Sequence, residues 1–188
     1  GGSYPRSIIS ADLNSDSKLD IAVVNYNSNE ALNVLKSSLV SVLFGTGDGT
    51  FGAAVKYPVG IKPNDLIASD LNCDGKLDIA AASYDGNDVA ILLATSAGTA
   101  FQTSKEYNTA RAANYAGPLE LVVGDFNGDG KLDLATADND MVSPFPSAYV
   151  SVVSVFLGAG DGTFGTAVEN STGRGASDHW RRCGLRSG

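Results

Sequence analysis

Apolar and β-branched residues fall in short runs along this chain, and residues 151–158 form one of the longest. Runs of that size suit β-strands, and no helical period holds over any useful length. Four such runs recur in order. The first lies at 6–11, 64–69 and 119–124, each opened by a proline (Pro5, Pro63, Pro118), which the start of a strand tolerates. The second lies at 19–25, 77–83 and 132–137, the third at 41–45, 88–94 and 151–158, and the fourth at 53–58, 102–107 and 166–170. Gly-Asp-Gly-Thr separates the third from the fourth at Gly47 to Thr50 and Gly160 to Thr163. Glycine and aspartate there accept the positive φ of a hairpin turn. The second set has a worn copy, residues 94–101, without the Gly-Asp-Gly.

The runs are parts of a repeat. DLNSDSKLDIAVV starts at Asp12, DLNCDGKLDIAAA at Asp70 and DFNGDGKLDLATA at Asp125, spacings of 58 and 55 residues. Four short strands per repeat predict one four-stranded antiparallel sheet each. A lone sheet cannot bury both faces, and stacking copies around an axis does so. The expected fold is all-β: three four-stranded antiparallel blades of an incomplete β-propeller, at 4–60, 61–117 and 118–173. A β-solenoid is the runner-up, but its repeats are shorter and carry fewer turns. Residues 174–188 read as an atypical tail, from a slipped reading frame or a disordered end.

Each repeat carries an acidic loop between its first two strands. Oxygen-bearing residues stand at loop positions 1, 3 and 5: Asp12, Asn14 and Asp16; Asp70, Asn72 and Asp74; Asp125, Asn127 and Asp129. Alternate residues turn their oxygens toward one centre, and calcium takes six to eight hard oxygen ligands. Position 7 would add a backbone carbonyl, from Lys18, Lys76 or Lys131, with the ammonium pointing to water. Position 9 would close the cage with Asp20, Asp78 or Asp133, in bidentate fashion. Gly75 and Gly130 at position 6 allow the sharp bend, whereas Ser17 replaces glycine in the first loop. Up to three calcium ions are expected, one per loop, the first site being the weakest. The loops lack the position-12 glutamate and flanking helices of an EF-hand. A metal-free loop held by side-chain-to-backbone bonds is the alternative.

Charge supports this through its placement. The net charge is −8, and nine of the 21 acidic residues are loop aspartates; the other 12 nearly balance 13 Lys and Arg. Three divalent cations would bring −8 to −2. An acidic chain without a basic stripe argues against nucleic-acid binding. No stretch approaches the roughly 20 apolar residues of a membrane helix. Cys73 and Cys183 sit in non-equivalent places, and His179 is the single histidine, so neither a disulfide framework nor a multi-histidine site is expected. No nucleophile elbow, Cys/His pair, P-loop or H-E-x-x-H motif is present, and the chain is not expected to be an enzyme.

The units resemble FG-GAP, or VCBS-type, repeats, as found in the integrin alpha-chain propeller and in many bacterial surface and secreted proteins. Phe44-Gly45, the two Gly-Asp-Gly-Thr-Phe-Gly segments and the acidic loops carry the resemblance, over roughly residues 4–173. Ser17 and residues 94–101 depart from it. It implies a calcium-stabilised propeller used for adhesion or ligand recognition, at an extracellular or cell-surface address. A carbohydrate-binding accessory module of an extracellular enzyme is the alternative.

Alternate loops of a meander leave opposite ends of the sheet. Away from the acidic loops, the strand-two-to-three loop is tight at 84–87 and is expected to swell at 26–38 and 139–149. The 108–117 connection is also long. Tyr26, Tyr115, Phe145 and Tyr149 there are candidates to meet a protein or glycan ligand, although ordinary insertion tolerance, or packing against a neighbouring blade, is the favoured explanation of such loops. Three blades do not close a ring, so further blades or self-association are the other expected partners. The start, Gly1-Gly2-Ser3-Tyr4-Pro5, shows no signal peptide and reads as that of an internal or mature segment.

Overall fold

The computed structural model describes residues 4–26, 38–109, 116–144 and 147–174; within these, residues 116, 140–144, 147–151 and 173–174 are described by backbone alone. The expected tail thus lies almost wholly outside the described residues, as do Tyr115, Phe145 and most of the first swollen loop.

Twelve strands follow in order: β1 (Pro5–Ala11), β2 (Asp20–Asn25), β3 (Leu39–Leu43), β4 (Val55–Pro58), β5 (Pro63–Ser69), β6 (Asp78–Ser83), β7 (Asp88–Leu92), β8 (Lys105–Asn108), β9 (Ala116–Gly124), β10 (Asp133–Pro144), β11 (Ser147–Phe156) and β12 (Val168–Arg174). They form three open four-stranded antiparallel sheets, each a meander with strands in sequence order. No helix occurs among the described residues. The expected all-β, three-sheet architecture is what the structure shows.

The prolines have a specific use. Register shifts between Pro5 and Ser7, between Pro63 and Asp65, and between Pro118 and Glu120 leave Arg6, Asn64 and Leu119 without a partner. Each first strand therefore breaks register beside its proline, at the strand's opening in β1 and β5 and two residues inside β9, which starts at Ala116.

One expectation is corrected in the third repeat. Residues 139–149 are not a swollen loop. β10 runs on to Pro144, β11 starts at Ser147, and the two pair continuously except for one irregularity between Met141 and Ser143. The segment lies between two apolar runs, but backbone pairing in a hairpin arm does not require apolar residues. The second repeat holds a smaller surprise. Its worn turn still closes with the bridge Ala94↔Phe101, matching Gly45↔Phe51 and Gly158↔Phe164. One extra residue and Gly98, at φ 69°, replace the Gly-Asp-Gly chemistry.

The first strands lie side by side, β1 beside β5 and β5 beside β9, and the sheets stack face to face. Leu13, Val24, Val40, Val42 and Tyr57 of the first sheet meet Leu66, Ile79, Leu92 and Phe101 of the second. Leu71, Val89 and Ile91 of the second meet Leu121, Leu134 and Phe156 of the third. β6 and β7 are consequently buried along their whole length. Phe101 stands edge-on to Tyr57, centroids 5.4 Å apart, and Phe164 to Tyr107 at 5.5 Å. Each pair joins a turn of one sheet to the last strand of the sheet before it. Asp65 links all three first strands: Oδ1 accepts from Ser7 Oγ (2.9 Å) and Oδ2 from Leu121 N (3.0 Å).

Candidate metal centres

The acidic loops join the first and second strand of every sheet, and they share one hydrogen-bond scheme. The position-1 carboxylate folds over its own loop. Asp12 Oδ1 accepts from Asp16 N and Oδ2 from Ser17 N; Asp70 does the same with Asp74 and Gly75, and Asp125 with Asp129 and Gly130, all at 2.8–3.2 Å. The position-3 amide oxygen of Asn14, Asn72 or Asn127 accepts from the position-5 N–H at 2.8–3.0 Å. The position-5 carboxylate accepts from the N–H of Lys18, Lys76 or Lys131, at 2.9 Å in each loop. These are stacked Asx turns, in which side-chain oxygens stand in for backbone acceptors. In the third loop the Gly130 N–H, working against desolvation, and then the Gly128 and Asp129 N–H groups hold the Asp125 carboxyl below the usual carboxylate range.

Position 9 is different in kind. Asp20, Asp78 and Asp133 are fully buried. One oxygen accepts from the position-2 N–H (Leu13, Leu71, Phe126) at 2.9–3.0 Å. The other accepts from the N–H of Gly45, Ala94 or Gly158, just past the third strand, at 2.8 Å in every repeat. This carboxylate pins the acidic loop to the neighbouring turn. Charge-assisted bonds of this type are stronger than neutral ones. One N–H per oxygen leaves each a second lone pair, so the anchoring does not bar the residue from a cation's shell. Burial pushes the Asp78 carboxyl up, the Ala94 and Leu71 N–H groups opposing it and the Asp74 and Asp70 charges adding to it.

The position-7 lysine side chains reach solvent and also pair with their own loops. Lys18, Lys76 and Lys131 Nζ lie 3.5, 3.4 and 3.6 Å from the position-5 Oδ2 of their own loops. The stems of Lys18 and Lys131 also cover the adjoining turns. A Cβ built on Gly47 or Gly160 would stand 3.1 Å from the lysine Cδ. Each ammonium thus acts as a built-in counter-ion on the open side of the loop.

Position 6 takes positive φ throughout: Ser17 at 65°, Gly75 at 83° and Gly130 at 82°. Position 4 takes it too, with Ser15 at 62°, Cys73 at 60° and Gly128 at 77°. The second demand has no signal in residue type, since Ser, Cys and Gly share position 4.

By residue type and order the loops fit a hard divalent cation: carboxylate, amide and carbonyl oxygens alternate along a tight bend. Among the described residues, however, no three acidic, histidine or cysteine groups converge closely enough to hold a metal ion. The carboxylates turn instead to their own amides.

Two further kinds of residue went unread. The Phe–Tyr contacts between sheets have a sequence signal in hindsight, because Phe51 to Tyr57 and Phe101 to Tyr107 share one spacing. The N–H partners of position 9 are long-range and have none. At the opposite end, Tyr26 is engaged: Tyr4 meets it edge-on at 6.4 Å, and Arg6 and Lys62 lie 5.4 and 5.6 Å from its centroid.

The family model for FG-GAP-like repeats matches residues 12–81 and 70–136, and that for the FG-GAP repeat matches residues 118–156. No curated protein matches the chain.

Proposed function

The chain belongs to the FG-GAP-like repeat family, and from that premise we propose that it is a calcium-binding β-propeller repeat module of a secreted or cell-surface protein, serving structure, adhesion or ligand recognition. The observation that carries this reading is a triplicate. Three loops of the same donor order adopt the same Asx-turn scheme, each fastened to its sheet by a fully buried aspartate. Such a scheme fixes where the position-1, -3 and -5 oxygens start from, which lowers the ordering cost of gathering them round an ion. Asp12, Asn14, Asp16, the Lys18 carbonyl and Asp20 would hold one ion. The corresponding sets run from Asp70 to Asp78 and from Asp125 to Asp133. A bound ion would supply positive charge among three carboxylates and free the lysine ammonium from that task. Extracellular calcium, about 10⁻³ M, fills sites of modest affinity. Further repeat sheets and a protein or glycan ligand are the partners this reading expects.

Thermal unfolding in excess calcium and in EDTA, with calorimetric titration, tests it. A ligand that binds only the folded state raises its stability. The expected outcome is a calcium-dependent rise in Tm with two or three ions per chain, the first loop binding most weakly. Absence of both binding heat and a shift in Tm would reduce the loops to self-sufficient turns.

A further inference from the structure

At the end of the sheets away from the acidic loops, the β4–β5 connection and the β6–β7 turn enclose a cavity of about 420 Å³. Asp88, the first residue of β7, lines it. Asp88 is only 5% exposed, and its Oδ1 has no hydrogen-bond partner. A buried carboxylate oxygen in this condition is costly unless something pairs with it. Its setting is built for that carboxylate. A Cβ on Gly60 would fall 2.3 Å from Oδ1 and one on Gly86 2.2 Å from Oδ2, so only glycines leave room for it. Ser83 Oγ stands beside the carboxylate and pulls on it, though outside good hydrogen-bond geometry.

The surrounding charge is negative. Asp85 and Glu106 line the same cavity. Asp85 is already paired with Lys62, whereas the charge of Glu106 adds to burial in pushing the Asp88 carboxyl up to about 6, against the pull of the Ser83 hydroxyl. Above that pH the carboxylate is ionised, with no cationic side chain among the described residues acting on it. Val59 and Ile61 supply apolar wall, and Asn108 a further polar group. The volume and the mix of wall types are those of a small-ligand site.

We propose that this cavity binds a primary alkylammonium group on an aliphatic stem, with Asp88 as its counter-ion. A divalent cation wants several hard oxygens around it, and Asp85 of the same cavity is already paired with Lys62. A guanidinium is a wide planar fork that needs its acceptors set in one plane, whereas an ammonium is compact. An ammonium needs only a point contact, Glu106 adds long-range attraction, and the stem lies along Val59 and Ile61. The group can be a lysine side chain or a free aliphatic amine; the chemistry is shared.

The test follows the Gly60 and Gly86 amide resonances of the full chain during titration with Nα-acetyl-lysine methylamide and, separately, with putrescine. Both titrations are run with calcium and with EDTA, so that a failure of the calcium reading is seen apart from a failure of this one. Saturable shifts of those two amides at millimolar probe are expected. Asp88→Asn should weaken them at least about tenfold, since it removes the buried partner charge. Glu106→Gln should weaken them less. Tighter binding of the lysine derivative than of putrescine points to a peptide source, and the reverse to a free amine. The proposal is overturned by the absence of saturable shifts with either probe, or by an Asp88→Asn protein that remains folded by circular dichroism and binds as the wild type does.

Discussion

Leu71 and Phe126 hold the same place, position 2, in consecutive acidic loops, and meet opposite surroundings. Leu71 is 2% exposed between the second and third sheets, while Phe126 is 49% exposed on the outer face of the third. Leu13, the first of the set, is again 2% exposed because the second sheet covers it. The aromatic turn residues run the other way. Phe101 and Phe164 pack on tyrosines of the preceding sheet, and Phe51, with no described sheet before it, is 40% exposed. Burial here is a property of the stack. Each interface takes a position-2 side chain from the earlier sheet and a turn phenylalanine from the later one. Sheet one therefore shows half an interface at Ile8, Leu19 and Phe51, and sheet three shows the other half at Val122 and Phe126. The two faces are complementary by repeat position, so a further repeat or a second copy would fit against either.

The largest effect should come from cutting the comparison at its buried end. Leu71→Ala is expected to cost about 2–5 kcal/mol, by lost transfer energy and a cavity between sheets. Phe126→Ala should change stability by no more than about 0.5 kcal/mol, as surface changes do. Urea unfolding of both variants measures the difference. A Phe126→Ala cost approaching that of Leu71→Ala, growing with protein concentration, would show that the outer face is covered by another copy in solution.

A middle-sized effect sets the interior carboxylate against those in the loops. Asp88 is pushed up to about 6, chiefly by burial, and Asp78 is pushed up as well. Asp48 is held down to about 2 by the Thr46 and then the Thr50 hydroxyls, and Asp125 is also lowered. The signs oppose each other. A depressed carboxylate adds stability as pH rises through its folded value toward the unfolded one, near 4. A raised one removes stability as pH rises from near 4 to near 6, because the folded chain then holds the extra proton. In EDTA, Tm should climb from pH 2 to about 4 and decline from there toward 7, with Asp88 contributing on the order of 2–3 kcal/mol to the decline. Asp88→Asn should remove most of that fall. An unchanged decline would assign it to Asp78 or to another group.

Much of this arrangement was legible, and the reason is repetition. A loop seen three times, in phase with four short apolar runs, fixes element type and order without any knowledge of contacts. What failed was whatever the repeat did not copy or whatever lies far off in sequence. The 133–156 hairpin was read as interrupted between 139 and 149, yet β10 pairs through Asn139, Ser143 and Pro144. Asp20 reads as a ligand from its spacing alone; its bond to Gly45 N spans 25 residues and only folding brings it into being. The turn at Ala94 lost its Gly-Asp-Gly but kept its shape, because Asp78 Oδ1 still holds Ala94 N at 2.8 Å and the bridge to Phe101 still forms. The buried anchor specifies that turn as much as the turn's own residues do.

The smallest effect distinguishes the first loop from the third. Both bend twice through positive φ, at Ser15 and Ser17 in one and at Gly128 and Gly130 in the other. A Cβ on Gly130 would meet nothing within 4 Å, so side-chain space is not what the bend restricts. The cost to serine is conformational, roughly 1–2 kcal/mol for an L-residue held in the left-handed region. Glycine relieves it but gives back about 0.5–1 kcal/mol of unfolded-state entropy. Ser17→Gly should therefore stabilise the chain by a few tenths to about 1 kcal/mol, and Gly130→Ser should destabilise it by a similar amount. Urea midpoints in EDTA measure the backbone effect alone. Calorimetry with calcium then asks whether the same exchange reverses the order of the sites, because relieving strain in the first loop lowers the cost of its bound shape. Equal urea midpoints for wild type and Ser17→Gly would mean that Ser17 rests in the left-handed region without penalty, and the first loop would lose its reason to be the weakest.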